Sequence, residues 1–176
     1  MLSKKIEKMI NEQITKELYS SALYLSMAAW FSSMSLNGFA KWYYIQTQEE
    51  RDHALIFYHY MKNTDTRTAF QQINEPTFDF KDTIDILEKT VKHEEFITAS
   101  IYDIMQVANE EHDYKTVQFL NWFVDEQVQE ENNANSNLNR FKTMGLDGKA
   151  IYLLDQEMGV RTYTKTPLLA TMELVP

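Results

Sequence analysis

Residues 38–63 read GFAKWYYIQTQEERDHALIFYHYMKN. Phe39, Tyr43, Gln46, Glu50, His53, Phe57 and Tyr60 recur there at steps of three or four, which is the spacing of one face of an α-helix. No proline interrupts the run and its one glycine opens it, so the spacing predicts a long helix over about 38–63. The face is apolar at both ends and polar in the middle. Glu50 and His53, three apart, project from the same side and lie within reach of a single ion.

Outward from this helix the chain is sparsely punctuated, with only four Gly and three Pro. Between Gly38 and Gly145 there is no glycine and a single proline, Pro76. A first helix is predicted from about Ser3 to Phe31, ending in a polar turn at Ser33, Ser35 and Asn37. Residues Thr64 to Lys81 lose the helical period and contain Pro76, so they read as a long extended connection able to cross the whole fold. Asp82 is the expected N-cap of a third helix ending near Glu110, and Asp113 that of a fourth running to Met144 before Gly145. Asp147 to Met158 reads as a short fifth helix closed by Gly159. The expected division is one domain over 1–159 and a tail over 160–176, which carries two prolines and no clear period and is assigned no function. The fold class is therefore all-α. Four helices of about 40 Å each form a four-helix bundle, and the long second-to-third connection allows directions that an up-down bundle does not.

At 176 residues and 20.8 kDa the chain is about one domain's worth of protein. A formal charge of −9 repels phosphate backbones and anionic membrane surfaces, so neither nucleic acid nor membrane is an expected partner. The absence of cysteine excludes disulfides, thiolate zinc sites, iron–sulfur clusters and Cys nucleophiles. The N-terminal MLSKKIEKMINEQ has no apolar signal core and no stretch reaches membrane-span length, so the chain reads as soluble and cytoplasmic.

The informative residues are acids where the period calls for apolar side chains, because burying an unpaired carboxylate is expensive. In the first helix the stripe Ile6, Ile10, Ile14, Ser21, Tyr24, Ala28 is completed by Glu17. In the third, Ile84, Leu87, Val91, Thr98, Ile101, Met105 is interrupted by Glu94; in the fourth, Leu120, Phe123, Ala134, Leu138, Phe141 is interrupted by Gln127 and Glu130. A lone Glu on such a stripe is more often a satisfied core polar group. Four helices each broken at mid-length are another matter: four inward carboxylates and an imidazole at similar heights cannot all stay ionised without a cation. Four acids to one His is the ligand balance of iron or manganese rather than zinc, and the surplus acid suggests two ions sharing a bridging carboxylate. Tyr24, on the same face as Glu17, reads either as a core aromatic or as a redox group. Trp30, Trp42 and Trp122 read as packing residues, and His59, His93 and His112 as exposed or local. The run Glu110, Glu111, Asp113 is a solvated turn or, in an assembly, a cation entrance.

The segments NEQITKELYSSALYLSM, QEERDHA, KHEEFIT and FLNWFVDEQVQEE resemble, in order and spacing, the iron-binding helices of the prokaryotic non-haem ferritins, over about Met1 to Gly159. The resemblance implies a ferritin-like bundle with a short fifth helix and a homo-oligomeric shell of 24 subunits storing ferric mineral. It implies ferroxidase activity, with Fe(II) oxidised to Fe(III) by dioxygen at a di-iron centre. Glu17, Glu50 and His53 match the first iron site, with Glu50 bridging; Glu94 and Glu130 match the second, with Gln127 nearby. Tyr24 matches a tyrosine able to supply an electron, and Trp122 a neighbouring tryptophan. Glu49, Glu126 and Glu130 match a third, looser iron site, where the family commonly has a further glutamate at the position of Gln129. That site is expected to bind more weakly here. The lack of His at position 130 opposes the bacterioferritin arrangement, no haem is expected, and the lack of cysteine opposes rubrerythrin.

Overall fold

The computed structural model describes residues 1–144 and 148–173, and among them there are helices and no strands. Four long helices, α1 (Lys4–Ser33), α2 (Asn37–Asn63), α3 (Thr83–Glu110) and α4 (Tyr114–Met144), are followed by α5 (Gly148–Met158) and α6 (Pro167–Glu173). Asp82 is an N-cap as expected, accepting from the N–H of Asp85, and Asp113 accepts from the N–H of Thr116 at the start of α4; Ser3, read as the start of the first helix, caps it by accepting from the N–H of Ile6. The expected stop at Gly145 and the start of the fifth helix at Asp147 lie outside the described residues.

The first three helices end without glycine. Ser35, Asp65 and His112 take positive φ there (60°, 53° and 57°). The N–H that follows each of them bonds back to a carbonyl of the last turn: Leu36 to Phe31, Thr66 to Met61 and Asp113 to Ala108. With no glycine to mark the stop, the sequence period closes the first helix at Phe31, two residues short.

The core falls into two apolar halves. One gathers Ile6, Ile10, Phe57, Tyr60, Ile101 and Leu120; the other gathers Met27, Phe31, Phe39, Ile86, Leu138 and Phe141. α2 and α3 both run from the second half to the first, and α1 and α4 run the other way. The connection 64–82 makes this possible by travelling along α1: the Ala69 N–H donates to Asn11 Oδ1 at 2.7 Å and Ser26 Oγ donates to the Thr77 carbonyl at 2.7 Å. Between the halves lies a band of buried polar residues, one or more from each long helix.

Some stripe positions differ by a fraction of a turn. Ser21 is half-buried, with its neighbour Ser20 fully buried; on α3 Leu87, Thr98 and Ile101 of the expected stripe are buried, joined by Ile86, Thr90, Ile97 and Ile104, while Ile84, Val91 and Met105 are partly exposed. An antiparallel pair on one side and the long connection on the other turn each helix slightly from the face its period suggests.

α2 begins without a side-chain cap of its own. Asp155 of α5 supplies one, its Oδ1 accepting from the N–H groups of Gly38 (2.8 Å) and Phe39 (3.0 Å). A Cβ on Gly38 would lie 1.6 Å from the Asp155 carbonyl oxygen, backbone against backbone. Gly38→Ala is therefore expected to dislodge α5 and lower thermal stability by about 2 kcal/mol or more, measured by denaturant unfolding against Ala40→Gly as a control. An unchanged midpoint would show that α5 does not depend on this approach.

The tail is packed where it is described, over residues 160–173. Leu169 of α6 is fully buried among the residues of the first core half, with Leu168 and Met172 packed beside it.

Candidate metal centre

The polar band brings Glu17 (α1), Glu50 and His53 (α2), Glu94 (α3), and Gln127 and Glu130 (α4) to one level, each at most 4% exposed. Each stands where its helix period places it, and four stripes cross at that level because the helices have nearly equal length and meet side by side. Glu17, Glu50 and His53 present ligand atoms within 4.8 Å of one another. His53 Nδ1 lies 3.4 Å from Glu50 Oε2. The Trp122 and Phe123 rings stand edge-on to the imidazole at 5.7 and 5.8 Å, fixing its plane.

Two buried polar atoms of this trio, Glu17 Oε2 and His53 Nε2, have no hydrogen-bond partner. An orphaned carboxylate oxygen and an orphaned imidazole nitrogen within reach of each other are strongly unfavourable unless a cation completes them. The donor set, mostly carboxylate with one imidazole, fits an iron- or manganese-like ion.

The remaining acids stand close by. Glu94 receives the Tyr24 hydroxyl on Oε1 and the Gln127 amide on Oε2 at 3.3 Å; Gln127 also donates to Thr98 Oγ1 at 3.2 Å. The charge of Glu94 raises the proton affinity of Glu130, and Glu50 acts on both. Glu49 and Glu126 flank the band on α2 and α4, partly buried, and the charges of Glu50 and Glu126 both act on Glu49. Gln129 is exposed on α4.

Electrostatics follow from burial. Desolvation, joined by the charge of Glu50, pushes Glu17 up to about 8, and Glu94 is likewise pushed to about 8. Burial and the charge of Glu94 hold Glu130 well above the usual carboxylate range. Burial also opposes ionisation of Glu50, but the hydrogen bond and charge of His53, with the Gln46 amide, outweigh it and lower its pKa. Burial likewise disfavours imidazolium at His53, yet the Glu50 bond and charge, with Glu17 and Glu130, raise it to about 10. Without metal, the band thus favours a charged pair at Glu50 and His53, with acids of raised proton affinity around it.

Several supporting residues escaped the sequence reading. Gln13 Nε2 donates to Glu17 Oε1 at 2.8 Å, and Gln46 Nε2 donates to Glu50 Oε1 at 3.1 Å. The signal was available: both helices carry Gln four residues before the inward Glu. Ser100 in turn donates to Gln13 Oε1 at 2.5 Å and accepts from Lys16, linking the first site to the surface. Arg161, which pairs with Glu49, had no such signal, because more than a hundred residues separate them.

One local reading needs correction. His93, expected to be exposed or local, is half-buried, bonds Ser20 Oγ through Nε2 at 2.7 Å and stands edge-on to Tyr24 at 5.7 Å. It lies one residue before Glu94 and so packs behind the centre rather than in it. His112 is exposed as expected, and His59 is half-buried against Tyr58.

Comparison with known proteins agrees with this geometry. Residues 7–144 match the ferritin-like domain family. The chain is 40% identical over 156 residues to a bacterial non-heme ferritin of Campylobacter jejuni, covering 89% of this chain and 93% of that one. It is 33% identical over 163 residues to one of Staphylococcus aureus, covering 93% and 98%. Among solved structures, an open pore ferritin from the hyperthermophilic archaeon Archaeoglobus fulgidus superposes with a TM-score of 0.91 at 34% identity, covering 92% of this chain and all of that one. A closed form of the same ferritin, engineered by site-directed mutagenesis, gives the same score and identity. Sequence and fold coincide, and the chain belongs to the ferritin family, among the bacterial non-haem ferritins.

Proposed function

We propose that this chain is a ferroxidase subunit of an iron store: it binds two Fe(II) ions in the polar band, oxidises them with dioxygen and passes Fe(III) into the hollow of a homo-oligomeric shell, 24 subunits by family resemblance. Storage of iron is the business of the family to which the chain belongs. The observation that carries the catalytic reading is the orphaned pair Glu17 Oε2 and His53 Nε2, in a trio with Glu50 whose ligand atoms lie within 4.8 Å of one another.

Iron is here the substrate. Glu17, Glu50 and His53 hold the first ion; Glu94 and Glu130 hold the second, with Glu50 between them and Gln127 beside. Carboxylates placed in advance in a dry band favour Fe(III) over Fe(II), so they lower the potential of the iron and pull electrons toward dioxygen. The second position has no imidazole, and Gln127 is a neutral amide already committed to Glu94 and Thr98. Its product is held less firmly, as storage requires. Tyr24 donates its hydroxyl to Glu94, so loss of one electron from the ring has a proton acceptor in place. Burial and the charge of Glu94 hold its hydroxyl protonated until then.

Stopped-flow titration of the metal-free protein with Fe(II) in air tests this. Ferric absorbance is expected to rise rapidly to a break near about two irons per subunit and then continue into a soluble, high-mass particle. A slow rise without a break would mean that the carboxylates nucleate mineral without oxidising iron, or serve another metal.

A further inference from the structure

The segment from Gly159 to α6 is a strap lying along α2. Lys41 Nζ donates to the Gly159 carbonyl at 2.8 Å, Tyr163 donates to Asp52 Oδ2 at 2.7 Å, and Leu169 anchors the far end in the core. Between the first two fixed points the strap presents one side chain to the metal centre. Arg161 lays its guanidinium over the Trp42 ring, 4.6 Å from the centroid, pairs through Nη2 with Glu49 Oε2 and donates from Nη1 to Gln46 Oε1 at 2.8 Å. Arg161 and Glu49 are only 22% and 18% exposed, so the charge has left most of its water for these partners.

Two consequences follow. Glu49 is the next anion outward from Glu50, with Glu126 close enough to act on it, and its charge is already taken by a guanidinium. The Gln46 amide is used at both ends, its oxygen by Arg161 and its NH₂ by Glu50, so the strap fixes the orientation of a group that holds the bridging carboxylate.

We propose that Arg161 is a resident cation occupying the outer position at Glu49, and that the strap carrying it limits the centre to two metal ions by excluding a third. The proposal rests on the reading of Glu17, Glu50, His53, Glu94 and Glu130 as the two-ion centre. A divalent ion enters at Glu49 only when Arg161 leaves, and its leaving frees the Gln46 amide. The neutral Gln129 works in the same direction by withholding a carboxylate from that side.

Calorimetric titration of the assembled, metal-free protein with Zn(II), a redox-inert probe, separates the possibilities, with tryptophan emission followed in parallel. The parent protein is expected to bind about two ions per subunit tightly. Arg161→Gln is expected to gain a further ion, or to bind it about tenfold more tightly, and to lose the Trp42 emission change that accompanies displacement of the guanidinium in the parent. Arg161→Lys keeps the cation and is expected to behave as the parent. Identical third-ion binding in the parent and Arg161→Gln overturns the proposal. Equal gains in Arg161→Gln and Arg161→Lys also overturn it, because packing of the strap rather than charge would then be responsible. Loss of the two-ion step in the parent itself removes the centre on which the proposal depends.

Discussion

Replacing Glu50 by Ala is expected to slow dioxygen-dependent oxidation of Fe(II) by roughly tenfold or more while leaving the bundle folded, and His53→Ala should do the same. Glu50 faces both halves of the polar band: it pairs with His53 on α2, receives Gln46, and its charge acts on Glu17, Glu94 and Glu130. Its charge reaches acids on α1, α3 and α4 alike, so its loss is expected to disturb both proposed ion positions together. Because Glu50 and His53 serve one ion as a unit, the double variant should be little slower than either single one.

Stability should not suffer in proportion. In the metal-free protein the band is a cost, since it buries acids that prefer water and leaves two polar atoms without partners. Removing Glu50 relieves its repulsion on Glu17 and Glu94 and lets His53 become neutral. Thermal unfolding of metal-free Glu50→Ala is therefore expected within a few degrees of the parent. Parent-like oxidation rates in both variants would remove the proposed centre; a collapse of the unfolding midpoint would mean that the pair holds the fold.

The second large effect is on pH. Glu17 and Glu94 hold their protons to about 8 in the folded chain against an ordinary 4.5, so between these values the folded state binds protons that the unfolded state has lost. Stability from these groups accordingly falls as pH rises through that window. His53, raised to about 10, adds stability that is complete below its ordinary 6.5 and is lost as pH rises toward 10. The lowered Glu50 acts oppositely, but only as pH falls into the acid range. The metal-free protein is therefore expected to unfold several degrees lower at pH 8.5 than at pH 5.5.

A metal must displace these protons before it binds. Loading the centre at pH 7 is expected to release about three protons or more per subunit, from Glu17, Glu94 and His53 first, with affinity rising about tenfold per pH unit for each proton displaced. Calorimetry with Zn(II) in buffers of different ionisation enthalpy counts them. Release of less than about one proton would show that the acids are already ionised without metal.

The legibility of this chain in its sequence had a physical basis. Helices of this length show their period many times over, so an acid at mid-stripe stands out: Glu17, Glu50, His53, Glu94, Gln127 and Glu130 were all readable, and all lie buried in one band. The caps at Asp82 and Asp113 were equally readable, because a cap is a bond between neighbours. Features made between distant residues were not. The rotation of α3 that buries Thr90 and Ile97, the packing of His93 against Tyr24, the cap that Asp155 lends to Gly38, and Arg161 on Glu49 depend on which surfaces meet.

By itself, then, the sequence determined four long helices, the long connection 64–82 that permits their directions, and the set of acids facing inward, because each follows from local periodicity and from the cost of burying charge. Only the tertiary structure decided which acid's proton affinity is raised and which lowered, which polar atoms are left without partners, and where residues 160–173 lie. Those depend on the distances between side chains from different helices, and electrostatic coupling across a buried band is set by those distances and by the exclusion of water.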